Sequence, residues 1–400
     1  MSVVIAVTTF VSGSVILAGC GVASGNATSR GEATPLSSVL RWGVVGNGGA
    51  IPELQLDRPS LVTGIRGKVV QIATSNSDGY ALTSTGVVYG WGVNSDGELG
   101  GGHRTPYETK AVKVDFPPKI TIRALANPMP FDAGIAIDSA GHAWGWGLNG
   151  ADDLCLPGLV HVRPQELPLS DVTLAAGART HALFDSKGRL LACGSGDAGE
   201  LGNGSTASSN VPTPVVGLPP RTEITALTAS WEGSGALLAN GDYYDWGYNA
   251  AGQLGDGSTT NRAVPVKVAL PFPVKQVFQG GSGPQNGQTI AILADGSTWA
   301  WGENDRGQLG IGSTKSSDVP VPVHVPHGVA FVRVASGGYA SYAIDRSGRL
   351  WVWGDNQHGQ LGVGSSRQLA TRPREIALHF AQVSSTAQNV AGLQYRPPQS

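Results

Sequence analysis

Residues 301–312 read Trp-Gly-Glu-Asn-Asp-Arg-Gly-Gln-Leu-Gly-Ile-Gly. The same pattern recurs without gaps as WGVNSDGELGGG at 91, CGSGDAGELGNG at 193, WGYNAAGQLGDG at 246 and WGDNQHGQLGVG at 353. A degenerate copy, WGLNGADDLCLP, begins at 146, and Trp42-Gly43 marks a seventh. Successive copies are 49, 55, 47, 53, 55 and 52 residues apart. A regular period near 50 residues means one supersecondary unit repeated along the chain.

Each copy has an upstream half. Ala343 to Trp353 shows an apolar run, a turn at Asp345 to Gly348, and a second run with alternating pattern. The turn recurs at Thr83 to Gly86, Asp138 to Gly141, Asp185 to Gly188, Asn240-Gly241 and Asp295-Gly296. This is a β-hairpin signature. Trp351 and Trp353 are two apart, so one strand face carries both, and such a stripe reads as core. Downstream, the glycines of G-Q-L-G-x-G supply positive φ or close approach, and the Leu anchors the loop. A polar stretch and a proline segment follow, as in Pro265 to Val268 and Pro320 to Val323. Proline suits an edge strand. Nothing in the chain reads as a long helix.

Seven four-stranded units predict an all-β, seven-bladed β-propeller of antiparallel blades. The motif W-G-x-N-x-x-G-Q-L-G-x-G resembles the regulator of chromosome condensation repeat family, and the resemblance covers residues 36–396. The copy at 146 departs most: Asp152, Cys155 and Pro157 replace its three glycines. In the copy at 193, Cys193 replaces Trp.

The two chain ends complete each other. Val383 to Leu393 aligns with Val334 to Ile344 but has no Trp-Gly after it, whereas Trp42-Gly43 has no upstream run. Val39 to Gly43 is therefore expected to pair with Val390 to Leu393 in one shared blade, closing a propeller over residues 39–396.

The 400 residues carry a net charge of −2, 14% charged residues, 58 Gly and 25 Pro. This balance gives no electrostatic reason to expect nucleic acid. The Gly-rich loops lead into proline-containing strands rather than helices, so they are turns and not phosphate cradles. The eight histidines are scattered, and no acid/base pair, metal-ligand spacing or nucleophile elbow stands out. No catalytic residue, metal or cofactor is expected.

Val3 to Leu17 is an apolar run, short for a membrane span. It ends in Leu17-Ala18-Gly19-Cys20, which resembles the bacterial lipobox; no Lys or Arg precedes Arg30. The resemblance implies a signal peptide over 1–19, lipid attachment at Cys20, and a Gly/Ser/Thr-rich tether over 20–38. It places the protein outside the cytoplasm, held to a bacterial membrane or envelope by lipid alone, or secreted. Cys155 and Cys193 fall where the other copies have no Cys, so each is read as a small buried side chain rather than half of a disulfide.

The loops before the second strand vary most and are expected to ring one face. Aligned on Tyr339, they offer Ser77, Asp132, Arg179, Glu232 and Gln388, with Phe131, Trp231 and Asn286 just before. A rigid scaffold displaying variable loops is a common binding device, and Trp231 is the Trp outside the repeat motif. Relatives in the resembled family include an exchange factor for a small GTPase, a plant ultraviolet-B sensor and a secreted inhibitor of β-lactamases. Fold alone does not choose among them. The expected function is a non-catalytic, monomeric interaction module that binds a protein or envelope partner through this face. A hydrolase or lyase using the axial channel, and an enzyme inhibitor, are the alternatives.

Overall fold

The computed structural model describes residues 37–45, 54–281, 283, 287–364 and 369–395. They form seven four-stranded antiparallel sheets. Blades 1 to 6 take consecutive strands over residues 69–113, 122–166, 172–214, 224–267, 274–322 and 331–379. In blade 7 the order is Leu54–Leu61, Ser37–Val45, Asn389–Tyr395, Gln382–Thr386. Ser37–Val45 pairs antiparallel with Asn389–Tyr395, placing Val39 opposite Leu393 and Trp42 opposite Val390. Ser37 and Ser38, read from the sequence as tether, are strand residues. Cys20 and the apolar run before it lie outside the described residues.

Burial explains the order of strands. The second strand of every blade from 1 to 6 is buried along its whole length, as in Gln288–Leu293 and Ala340–Asp345. The outer strands are largely exposed, and every one carries proline, from Pro59 and Pro106 to Pro320 and Pro373. A missing N–H on an exposed edge blocks pairing with another chain. Around the axis, inner strands are bridged by glutamines: Gln71 donates to the Leu125 carbonyl and accepts from the Leu125 N–H, both at 2.9 Å.

The repeat motif is the joint between blades. Asn304 is fully buried and holds its own loop, accepting from the Leu309 N–H at 2.9 Å and donating to the Ser313 and Lys315 carbonyls. Asn249 and Asn356 make the same bond to Leu254 and Leu361. The Trp of the next blade then closes the joint. Trp353 Nε1 donates to the Gln308 carbonyl, Trp246 to that of Glu200, and Trp42 to that of Gln360. The second glycine of the motif sits under that indole. A β-carbon on Gly255 would come within 2.8 Å of the Trp301 ring, and one on Gly310 within 2.7 Å of Trp353. Contacts that short leave room only for glycine.

One joint differs. Between blades 2 and 3 the second-glycine position is Cys155 and the Trp position is Cys193, and the two form a disulfide with Cα atoms 5.6 Å apart. This overturns the reading of both as unpaired. Their positions touch at the other joints, so a covalent bond replaces the glycine–indole contact.

Candidate functional site: the loop ring over the axis

A four-stranded meander puts the loops between first and second strands at the same end as those between third and fourth. This end carries the expected ring. The backbone shows that Arg179 stands one place earlier than the sequence alignment put it. His181 pairs with Gly194 as Ala133 pairs with Gly147 and Ala340 with Gly354, so Thr180, not Arg179, matches Asp132 and Tyr339. Arg179 therefore takes the same loop position as Phe131 in blade 2 and Trp231 in blade 4.

That equivalence brings the three together. The Phe131 and Trp231 rings meet edge to face, centroids 5.1 Å apart at 75°. The Arg179 guanidinium lies 3.9 Å from the Trp231 centroid and 5.4 Å from that of Phe131. Main-chain bonds fix the loops: the Phe131 N–H donates to the Ala178 carbonyl at 3.2 Å, and the Asn76 N–H to the Phe131 carbonyl at 2.9 Å. The Thr180 hydroxyl donates to the Trp231 carbonyl at 2.8 Å. Phe131 is buried, Trp231 is partly buried and Arg179 is exposed. The guanidinium carbon thus lies over the Trp231 ring while Arg179 remains exposed.

The other expected residues are dispersed. Asp132 and Glu232 flank the stack, and Tyr339 and Gln388 are half-buried elsewhere on the ring. Ser77 is only 2% exposed, where its hydroxyl accepts from the Asn76 amide. It does not reach the surface. Asn286 lies outside the described residues.

Two cavities adjoin the stack. One, at the channel mouth, measures about 20 Å³ and is lined by Phe131, Arg179, Trp231, Phe278, Gln279 and Ser385 among others. That is room for roughly one water, and no carboxylate or histidine lines it. The other measures about 250 Å³, between Phe131, Leu148 and Ala151 on its apolar side and Asp132, Asp153 and Arg179 on its polar side. Asp153 takes the Gln position of the degenerate copy, and sequence reasoning did not single it out. Its signal was that copy's divergence.

The acids here are strained electrostatically. Burial pushes Asp153 up to about 8 and Glu200 up to about 7. Burial also raises Asp132, although Arg179 and the Asn76 amide pull it down. Glu232 is raised by burial and Asp197, against the pull of Arg179. Desolvation disfavours the charged form, and a nearby cation restores it. Among the described residues no three of His, Cys, Asp and Glu gather as metal ligands.

Comparison with known proteins agrees with this architecture. Human E3 ubiquitin-protein ligase HERC2 is 26% identical over 77% of the chain, which spans only 6% of HERC2's length. The Arabidopsis thaliana ultraviolet-B receptor UVR8 is 30% identical over 78% of the chain and 70% of its own length. The crystal structure of Prp20p from Saccharomyces cerevisiae superposes with a TM-score of 0.75 at 21% identity, covering 91% of this chain and 92% of that one. Residues 38–395 match the model of the RCC1-like domain, and the chain belongs to that family.

Proposed function

We propose that this propeller is a non-catalytic protein-interaction module working outside the cytoplasm, with the loop ring as its contact face. The observation that carries this reading is the Phe131–Arg179–Trp231 stack, which presents an aromatic surface and a pre-positioned cation at the centre of a rigid face. Trp, Tyr and Arg dominate the energetics of protein interfaces. The nearby channel-mouth cavity is far below the roughly 300–1,000 Å³ of a small-molecule site, which weighs against a polysaccharide-cleaving site at this mouth. Prp20p, described for its binding to Gsp1p and histones, uses the same fold, which is compatible with a binding role.

The compartment rests on two independent features. The lipobox-like Leu17 to Cys20 implies export with a lipid anchor. The Cys155–Cys193 disulfide suits an oxidising setting, because cytosolic thiols are held reduced.

Recovery of envelope proteins on immobilised wild type, on Trp231→Ala and on an opposite-face control, Phe272→Ala, tests the contact face. The expected result is a partner lost only with Trp231→Ala; equal recovery on all three removes the face from consideration. Labelled palmitate is expected to enter the protein and to be lost in Cys20→Ala. Persistent label in that variant refutes the anchor.

A further inference from the structure

We infer that the partner offers a positively charged protein surface, and that one of its Lys or Arg side chains enters the pocket bounded by Phe131, Leu148 and Ala151, heading for Asp132 and Asp153. This rests on the interaction reading above and names the partner's chemistry.

The net charge of −2 conceals an uneven distribution. Every described loop between third and fourth strands carries a carboxylate, Glu98, Asp153, Glu200, Asp256, Glu303 and Asp355, and of these Asp256 is paired with Arg262 at 2.7 Å. Of the 27 Lys and Arg in the chain, only Arg104, Arg179, Arg306 and Lys315 stand on described loops of this end. Arg104 and Arg306 are already answered by Asp96 at 3.9 Å and Asp305 at 3.6 Å. Among the described residues, Glu98, Asp132, Asp153, Glu200 and Glu232 take part in no ion pair. Glu200 is 1% exposed, and its Oε1 has no hydrogen-bond partner. Burial pushes Glu98, Asp132, Asp153, Glu200 and Glu232 toward their neutral forms, and a cation brought beside them restores the charged form. The face therefore answers a basic partner and gives an acidic one nothing to pair with.

The pocket supplies the specific contact. Its volume of about 250 Å³ accommodates one long side chain. Phe131, Leu148 and Ala151 suit the methylene stem, and amphipathic cations commonly bury such stems while keeping the charged head among polar groups. Asp153, 3% exposed, takes part in no ion pair among the described residues, and the proton it holds at neutral pH can leave when a cation arrives beside it. Arg179 does not fill that role. It is stacked on Trp231, 3.9 Å from the ring centroid, and its charge acts on Asp132 and Glu232.

The test uses a fluorescently labelled Lys/Gly peptide and its Glu/Gly counterpart, titrated into the whole protein at low and high salt. The Lys peptide is expected to bind, to weaken with salt, and to lose about tenfold in Kd in Asp132→Asn/Asp153→Asn, a change of about 1.4 kcal/mol. An opposite-end control, Asp115→Asn/Asp242→Asn, is expected to bind as wild type. Equal binding of both peptides, or an unchanged Kd in the Asp132/Asp153 variant, overturns the inference. The envelope-recovery experiment separates the two readings. A partner lost with Trp231→Ala but kept with Asp132→Asn/Asp153→Asn leaves the interaction face standing and removes the charge assignment. A partner kept by both variants removes both.

Discussion

Cys155 and Cys193 are bonded across the joint between blades 2 and 3, at the two positions where Gly310 and Trp353 meet across another joint. The pair substitutes for a contact, so each half is useless without the other. Reduction, or either Cys→Ala change, is expected to destabilise by about 2–4 kcal/mol. Cys155→Gly/Cys193→Trp should restore the ordinary joint and melt above Cys155→Gly and Cys193→Trp alone under reducing conditions. Thermal unfolding with and without dithiothreitol measures this. A double variant no better than the singles would show that the joint is not interchangeable.

Asp153 makes stability depend on pH. Its folded-state pKa is raised to about 8, so the folded protein holds a proton that the unfolded chain releases. Such a group costs nothing below pH about 4, where both states are protonated. The cost then grows as pH rises, and levels off above about 8. Asp153→Asn keeps an acceptor for the loop and removes the charge. It is expected to raise Tm at pH 8 and to leave it unchanged near pH 3.5. A gain independent of pH would refute this origin.

Arg179→Ala should alter the environment of Trp231 more than the stability of the fold. Arg179 is exposed, and a cation–π contact at such a site is worth about 0.5–1 kcal/mol. The expected outcome is a shift in tryptophan emission with a small change in Tm. Asp132 should also titrate higher, because Arg179 is the charge that now lowers it. Chemical-shift titration of Asp132 in both forms checks that direction.

Asn304→Ala should unfold the protein more readily than a surface change. The side chain, itself fully buried, satisfies one N–H and two carbonyls of its loop. Leaving such groups unpaired costs roughly 2–4 kcal/mol. Denaturant melts read this directly, with Asn240→Ala, in an exposed turn, as a comparison expected to change little.

Particular residues show how far the sequence could be read. The blades were legible because burial in a meander imposes alternation, and because Trp353, Gly310 and Asn304 recur with one spacing. The clasp of Trp42 was legible because the two chain ends complement each other. The site was only half legible. Phe131 and Trp231 stood out as aromatic residues in variable loops, but Arg179 was placed one residue off. Loop length is not set by the repeat, and only strand pairing at His181 and Gly194 fixes the register.

Local pattern alone determined the architecture here: period, hairpin turns, edge prolines and the glycines that admit an indole are all short-range requirements. Tertiary structure decided what lies across a joint or across the axis. Cys155 and Cys193 are 38 residues apart, and Phe131 and Trp231 belong to blades 2 and 4. Their meeting depends on how seven similar units close into a ring, and the spacing within one unit carries no information about it. Burial of Asp153 likewise follows from the neighbouring blades, which no single repeat can reveal.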